Sequence, residues 1–284
     1  MLAILNLLLV SAVRASEQKI AYLAHTSNYW QVWTMLPDGS QKQQITSSKY
    51  DKTHVSWYPD GIHLLVNGAQ GWIFKINTVT RNETKIELPI KGTLDAVISP
   101  DGKKIAFSLT VAGSRDNNHI WLVNGDGRNL RRLTNMGGLQ HEPVWSPDEQ
   151  WIYFLSSTSK EDHDIFRVST LTSSIEQLTV DKIYNFDVAI SNNGEMAFSS
   201  NRQDNYEIWI QEANGNVHRL THNKAIDSRP SWSPDGKVIV FESSRNGPMN
   251  IWRMSVDDKL PIQLTNEKIG ARYPVWSKTS GNKL

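Results

Sequence analysis

The chain has 284 residues, of which 30 are Lys or Arg and 29 are Asp or Glu, so its formal charge is +1. That balance excludes a general electrostatic grip on nucleic acid or anionic lipid, and the absence of cysteine excludes disulfides, thiolate metal ligands and a cysteine nucleophile. Apolar residues make up 39% and include 11 Trp, so large rings carry much of the burial, and the length allows one large domain or two ordinary ones.

At the N-terminus, Leu2 to Val13 form an apolar core followed by Val13-Arg14-Ala15, a small-x-Ala cleavage pattern. A run of about a dozen apolar residues is too short to span a bilayer and reads as a signal peptide over residues 1–15, although only Met1 precedes its core. The expectation is a periplasmic or otherwise exported protein. Its single domain would run from 16 to 284, with no membrane insertion once the signal is removed.

Residues 19–46, KIAYLAHTSNYWQVWTMLPDGSQKQQIT, read as three strands, with Val32-Trp33 in the middle one and Ile45-Thr46 at the end. From Trp57 onward one phrase returns: Trp57-Tyr58-Pro59-Asp60-Gly61, Ile98-Ser99-Pro100-Asp101-Gly102, Trp145-Ser146-Pro147-Asp148-Glu149, Ile190-Ser191-Asn192-Asn193-Gly194 and Trp232-Ser233-Pro234-Asp235-Gly236. A degraded copy stands at Trp276-Ser277-Lys278, and the starts are 41, 47, 45, 42 and 44 residues apart. Between them lie Ile120-Trp121, Ile165-Phe166, Ile208-Trp209 and Ile251-Trp252. Most units close on a Leu-Thr pair, at Leu133-Thr134, Leu178-Thr179, Leu220-Thr221 and Leu264-Thr265, whereas the unit ending near Leu88 has lost the Thr.

A period of about 40–45 residues with four short strands per repeat is the signature of propeller blades. Ser-Pro-Asp-Gly suits a type I turn, with Pro fixing φ at the second position and Gly at the fourth. No helical periodicity of any length appears. Residues 19–46 supply the second, third and fourth strands of a blade that lacks its first, and residues 271–276 supply a first strand with nothing after it. The expected fold is therefore all-β: a six-bladed β-propeller of four-stranded blades, closed by pairing the two ends of the chain in one blade.

Pro-Val-Trp-Ser-Pro-Asp, Arg-Pro-Ser-Trp-Ser-Pro-Asp-Gly, the Ser-Ser-x-Arg loop and the Gln-Leu-Thr endings resemble the repeats of TolB, the periplasmic propeller of the Tol-Pal envelope system. The resemblance covers roughly residues 19–277. The same repeat also resembles the propellers of prolyl-oligopeptidase-type peptidases, tricorn-like proteases and oligogalacturonate lyases. TolB proteins carry an α/β domain ahead of the propeller, whereas here the blades begin within a few residues of the expected cleavage site. The resemblance implies a rigid disc whose channel mouth receives a protein or peptide, in TolB the peptidoglycan-associated lipoprotein or a Tol-box peptide.

Chemical motifs are scarce. His141-Glu142 does not open a His-Glu-x-x-His site, because Trp145 occupies the second histidine's place, and Gly-x-Ser-x-Gly, a phosphate loop and a dinucleotide fingerprint are all missing. The repeat phase gives these residues another meaning. Three residues before the Trp/Ile position stand His54, Asp95, Glu142, Asp187, Arg229 and Tyr273, at the start of each innermost strand and so around the channel. One position earlier stand Thr53, Leu94, His141, Phe186, Ser228 and Arg272. The expected rim is His54, Asp95, Glu142 and Asp187 on consecutive blades, with His141 beside Glu142, facing Arg229, Tyr273 and Arg272.

Neighbouring carboxylates repel unless solvated or neutralised. Two uses fit: a wet rim accepting strand-end hydrogen bonds, or a site for a hard cation such as calcium or for a basic group on a partner. No other cofactor is expected, and a metal lyase site would need several His together where only His54 and His141 stand, on blades that are not adjacent. The recurring Trp residues mark packing between blades. Non-recurring Tyr29 and Trp30, expected in the first loop, and Tyr184-Asn185-Phe186 are candidates for contact surface. Asn82-Glu83-Thr84 matches a glycosylation acceptor.

The expectation is an exported, monomeric propeller that binds a protein or peptide at its channel mouth, such as an envelope lipoprotein resembling the peptidoglycan-associated lipoprotein, with no nucleic-acid partner. The alternatives are a hydrolase or lyase acting on a polysaccharide or peptide at the same mouth, and an accessory propeller of a separate catalytic subunit.

Overall fold

The structure is a computed structural model that describes residues 18–110, 117–157, 163–180 and 183–278. The expected signal peptide lies outside the described residues. Strands β1 (Ile20–Thr26), β2 (Tyr29–Met35) and β3 (Gln43–Gln44) are followed by β4 (Lys52–Trp57), β5 (His63–Gly68), β6 (Trp72–Asn77) and β7 (Glu83–Ile86). Next come β8 (Leu94–Ile98), β9 (Lys104–Thr110), β10 (Asn117–Asn124) and β11 (Arg131–Arg132), then β12 (Gly138–Trp145), β13 (Trp151–Ser157), β14 (Asp164–Ser169) and β15 (Ile175–Gln177). The chain continues through β16 (Asn185–Ile190), β17 (Met196–Gln203), β18 (Asn205–Gln211) and β19 (Val217–Arg219). It ends with β20 (Asp227–Trp232), β21 (Val238–Ser243), β22 (Asn250–Ser255), β23 (Pro261–Gln263) and β24 (Ala271–Trp276). No helix occurs among the described residues.

Four sheets have four strands each, in the orders β24-β1-β2-β3, β4-β5-β6-β7, β16-β17-β18-β19 and β20-β21-β22-β23. The fifth has eight strands, where two separate sheets were expected. Its meanders β8–β11 and β12–β15 are joined by a short parallel contact, Asn117 with Gly138 and Asn118 with Leu139. The longest repeat spacing, 47 residues, falls between the Ser-Pro-Asp turns of these two meanders. The first two residues of β10 thus reach the start of the next first strand, β12. The first strands adjoin in a closed ring, β4 to β8, β12, β16, β20, β24 and back to β4, and β24 pairs antiparallel with β1, so the two ends of the chain share one sheet.

The three recurring phrases each have a bonding role. In the turn, Ser233 Oγ donates to Asp235 Oδ1 (2.6 Å) and accepts the Val238 N–H (2.9 Å), and Ser99 with Asp101 repeats the pattern. The turn tryptophans reach back to the preceding first strand: Trp57 Nε1 donates to the Val275 carbonyl (3.0 Å) and Trp232 Nε1 to that of Ala189 (3.3 Å). The closing threonine is buried against the third strand. Thr265 Oγ1 accepts the Ile251 N–H (2.8 Å) and donates to Asn250 Oδ1 (2.9 Å), and Thr46 does the same between Val32 and Gln31. Each bond satisfies a polar group that burial would otherwise leave unpaired. Tyr29 and Trp30 lie in β2 and not in a loop, with Trp30 edge-on to His25 and under the Arg272 guanidinium (5.0 Å).

Candidate functional site

Each of five first strands carries a β-bulge, at Asp95, Glu142, Asp187, Arg229 and Tyr273. These five residues adopt left-handed backbone angles, with φ between 52° and 56°. The register shows why. Between His141, opposite Leu155, and Val144, opposite Tyr153, both Glu142 and Pro143 face the single residue Phe154. In the same way Asp95 faces Phe107, Asp187 faces Phe198, Arg229 faces Phe241 and Tyr273 faces Tyr22. All five opposing rings are buried. A non-glycine residue in this region costs on the order of 1–2 kcal/mol, and bulges re-aim side chains beside functional sites. Here they turn the side chains onto the channel.

His54 departs from the expected pattern. Its strand shifts register one residue earlier, between Lys52 and His54, and the residue across from Val55 is Val66 instead of a ring. His54 keeps an ordinary backbone and packs edge-on against Tyr273, with centroids 5.6 Å apart.

His54, Glu142, Asp187, Arg229 and Tyr273 line one cavity of about 220 Å³ on the channel axis. Beyond the charged level the first strands contribute Val55, Val97, Val144, Ala189 and Val275, and Trp145, Trp232 and Trp276 line the wall together with polar groups such as Ser231 and Lys278. Asp95 is held by Ser108 Oγ (3.0 Å), and His141 and Arg272 turn aside, to His163 (5.1 Å between centroids) and to Trp30. The structure thus brings five of the eight expected rim residues into the cavity and leaves three beside it.

Arg229 is the hub. Its guanidinium lies 3.2 Å from Asp187, 3.5 Å from Glu242 and 3.8 Å from Glu142, and stacks 3.8 Å over the Tyr273 ring. Glu242 was not foreseen. It follows Phe241 on β21, where the other units carry Ser108, Ser199, Leu155, Leu23 or Asn67, and its side chain is 4% exposed. The signal in the sequence is a Glu inside the otherwise apolar run Val238-Ile239-Val240-Phe241.

The bulges free backbone N–H groups from the ladders, and side chains of neighbouring units take them up. The Arg229 N–H donates to Asp187 Oδ2 (3.3 Å), the Tyr273 N–H to Glu242 Oε1 (2.6 Å) and the Ala96 N–H to Asn67 Oδ1 (3.1 Å). Ser199 Oγ donates to Asp187 Oδ2 (2.6 Å). Bonds to an ionised acceptor contribute about 1.5–3 kcal/mol each. The carboxylates therefore belong to the scaffold as well as to the channel.

Three carboxylates share one guanidinium, and burial decides their protonation. Burial pushes the Glu142 carboxyl up to about 8, with the Asp187 charge adding and Arg229 opposing. Burial raises Glu242 to about 7 against the pull of Arg229. His141 falls to about 4 through burial and the neighbouring His163, and burial lowers His54 as well. Burial works against the Arg229 charge, but Asp187, Glu142 and Glu242 together hold it far above its ordinary value. At neutral pH the channel thus holds a fixed cation, neutral imidazoles and a protonated Glu142. Among the described residues no group of three or more His, Asp or Glu side chains is placed to hold a metal ion.

Residues 72–280 match the family model described as the TolB beta propeller domain. An uncharacterised protein of Agrobacterium fabrum is 26% identical over 234 residues, 81% of this chain and 63% of its own. The Tol-Pal system protein TolB of Anaeromyxobacter dehalogenans is 24% identical over 45% of this chain and 29% of its own. Among solved structures, TolB from Acinetobacter baumannii superimposes with a TM-score of 0.81 at 25% identity, over 91% of this chain and 66% of that one. The chain spans less than two thirds of each of these proteins.

Proposed function

The chain belongs to the TolB beta propeller domain family, and from that footing we propose that it is a six-bladed protein-binding propeller that receives a partner protein or peptide at its channel mouth. The eight-stranded sheet counts as two blades zipped at β10 and β12, in keeping with the six first strands around the ring. The observation that carries the binding reading is the convergence of five strained bulges on one charged channel. A scaffold alone does not require left-handed Glu, Arg and Tyr at the same depth in successive units. The relatives support an exported setting in the cell envelope, with a partner resembling the peptidoglycan-associated lipoprotein.

The test is crosslinking capture of the tagged protein from its native envelope, with a variant carrying Asp95→Asn, Glu142→Gln and Asp187→Asn as comparison. These changes remove the ionisable groups and keep side chains of the same size at the bulges. A partner held by the wild type and lost by the variant supports the reading. Equal recovery moves the contact away from the channel. Recovery of no partner returns the hydrolase, lyase or accessory-subunit alternatives.

A further inference from the structure

Beside Glu142 and Asp187 the mouth carries a run of aromatic rings that the hub does not use. His141 packs on His163 (5.1 Å), His163 on Phe186 (4.8 Å), Phe186 on Tyr184 (6.0 Å, stacked) and on Tyr206 (5.8 Å). All five are half-buried. Two adjoin the acids in sequence, His141 before Glu142 and Phe186 before Asp187. Burial raises the pKa of the Tyr206 phenol, and Tyr184 and then the Asp187 charge add to it. Glu142 meanwhile stands 3.8 Å from its nearest guanidinium nitrogen, too far for a hydrogen bond.

Resting on the channel mouth being the docking surface, we propose that Phe186, Tyr206 and His141 together with Glu142 and Asp187 form a subsite for one basic side chain, an arginine or a lysine, of the docking segment. The electrostatics choose among occupants. An acidic side chain would bring a further acid to Glu142, Asp187 and Glu242, which already share the one cation Arg229. An apolar one would strip water from Glu142 and Asp187 and return no hydrogen bond. A guanidinium or ammonium meets the negative faces of the rings and the Asp187 carboxylate at once, and its charge draws the proton off Glu142. The protein uses this pairing within itself: Arg229 covers Tyr273 at 3.8 Å, Arg202 covers Trp209 at 4.8 Å and Arg245 covers Trp252 at 4.8 Å.

The probe is N-acetyl-Ala-Arg-Ala-amide, titrated into the full chain while the backbone amide shifts of Phe186 and Asp187 are followed by NMR. Its analogues carry lysine, citrulline (the neutral shape of arginine) or norleucine. The expected result is saturable shifts at those two amides with the arginine and lysine peptides, and binding roughly tenfold weaker or worse with citrulline and norleucine. Glu142→Gln and Tyr206→Leu should each weaken the arginine peptide by a similar factor while the remaining amide shifts keep their folded pattern. Equal binding of citrulline and arginine, shifts that map to another face, or no saturable shift overturns the subsite. Capture of a rim-dependent envelope partner alongside failure of the arginine peptide defeats this proposal alone. Binding of the peptide with no captured partner defeats the docking reading alone.

Discussion

The Arg229 guanidinium stacks 3.8 Å over the Tyr273 ring while its nitrogens face Asp187, Glu242 and Glu142. Both residues hold left-handed backbone angles on neighbouring first strands, so one cation ties two bulges and three acids into a single unit. Arg229→Met keeps the stem and removes the charge. It should destabilise the fold by about 3 kcal/mol at pH 7.5, because Asp187 and Glu242 are then buried without a counterion. The loss should shrink at pH 5, below the value of about 7 to which burial raises Glu242, where that acid is protonated. Urea unfolding at the two pH values measures both, and a pH-independent loss would mean that packing, not charge, carries the effect.

Glu142 gives stability a slope with pH. Its folded pKa is raised, to about 8 against an ordinary 4.5, so between those values the folded state holds a proton that the unfolded state has released. The contribution is complete below pH 4.5 and is lost as pH rises through 8. Asp187, Arg229, Asp95 and Tyr273 face the group. Its side chain is 21% exposed, so the slope from pH 6 to 9 should amount to only about 1–2 kcal/mol. Glu142→Gln should flatten it, which urea midpoints across that range would reveal.

The bulges predict an unusual substitution pattern. At Asp95, Asn and Gly accept a φ of 52° and should stay within about 0.5 kcal/mol of each other. Asp95→Val should cost about 1–2 kcal/mol more than either, since a β-branched side chain is strained there. His54 has no left-handed angle, so His54→Val should show no such excess over His54→Asn beyond the change in packing. Thermal denaturation of the paired variants separates the two cases.

Ring closure rests on β24. Deleting residues 270–284 removes the partner of β1 and leaves its edge open. The truncated protein should aggregate and lose its single cooperative melt. A melt as sharp as that of the full chain would show that β24 is dispensable to closure.

Much of this was legible in the sequence, because packing between repeated units forces a fixed phase. That phase placed Glu142, Asp187, Arg229 and Tyr273 at one depth and assigned residues 271–276 to the same sheet as 19–46. Three features were not legible, each depending on contacts across strands. The bulges follow from a register in which two residues face one ring, and register is a tertiary property. His54 shares the phase of the others but lacks the ring, since Val66 stands where Phe107 or Phe241 stands elsewhere. Glu242 lies on a second strand, outside the positions that the phase marks as lining the channel, and only the structure brings it to Arg229.

The most direct test of the channel mouth as a docking surface is site-specific photocrosslinking in the native envelope. A photoreactive phenylalanine analogue would replace Leu94, at the rim and 45% exposed, or Leu171, on an outer hairpin and 89% exposed. Binding at the mouth predicts a discrete adduct from position 94 and none from position 171, with the adduct lost in the variant carrying Asp95→Asn, Glu142→Gln and Asp187→Asn. An adduct from position 171 and none from position 94 would contradict it.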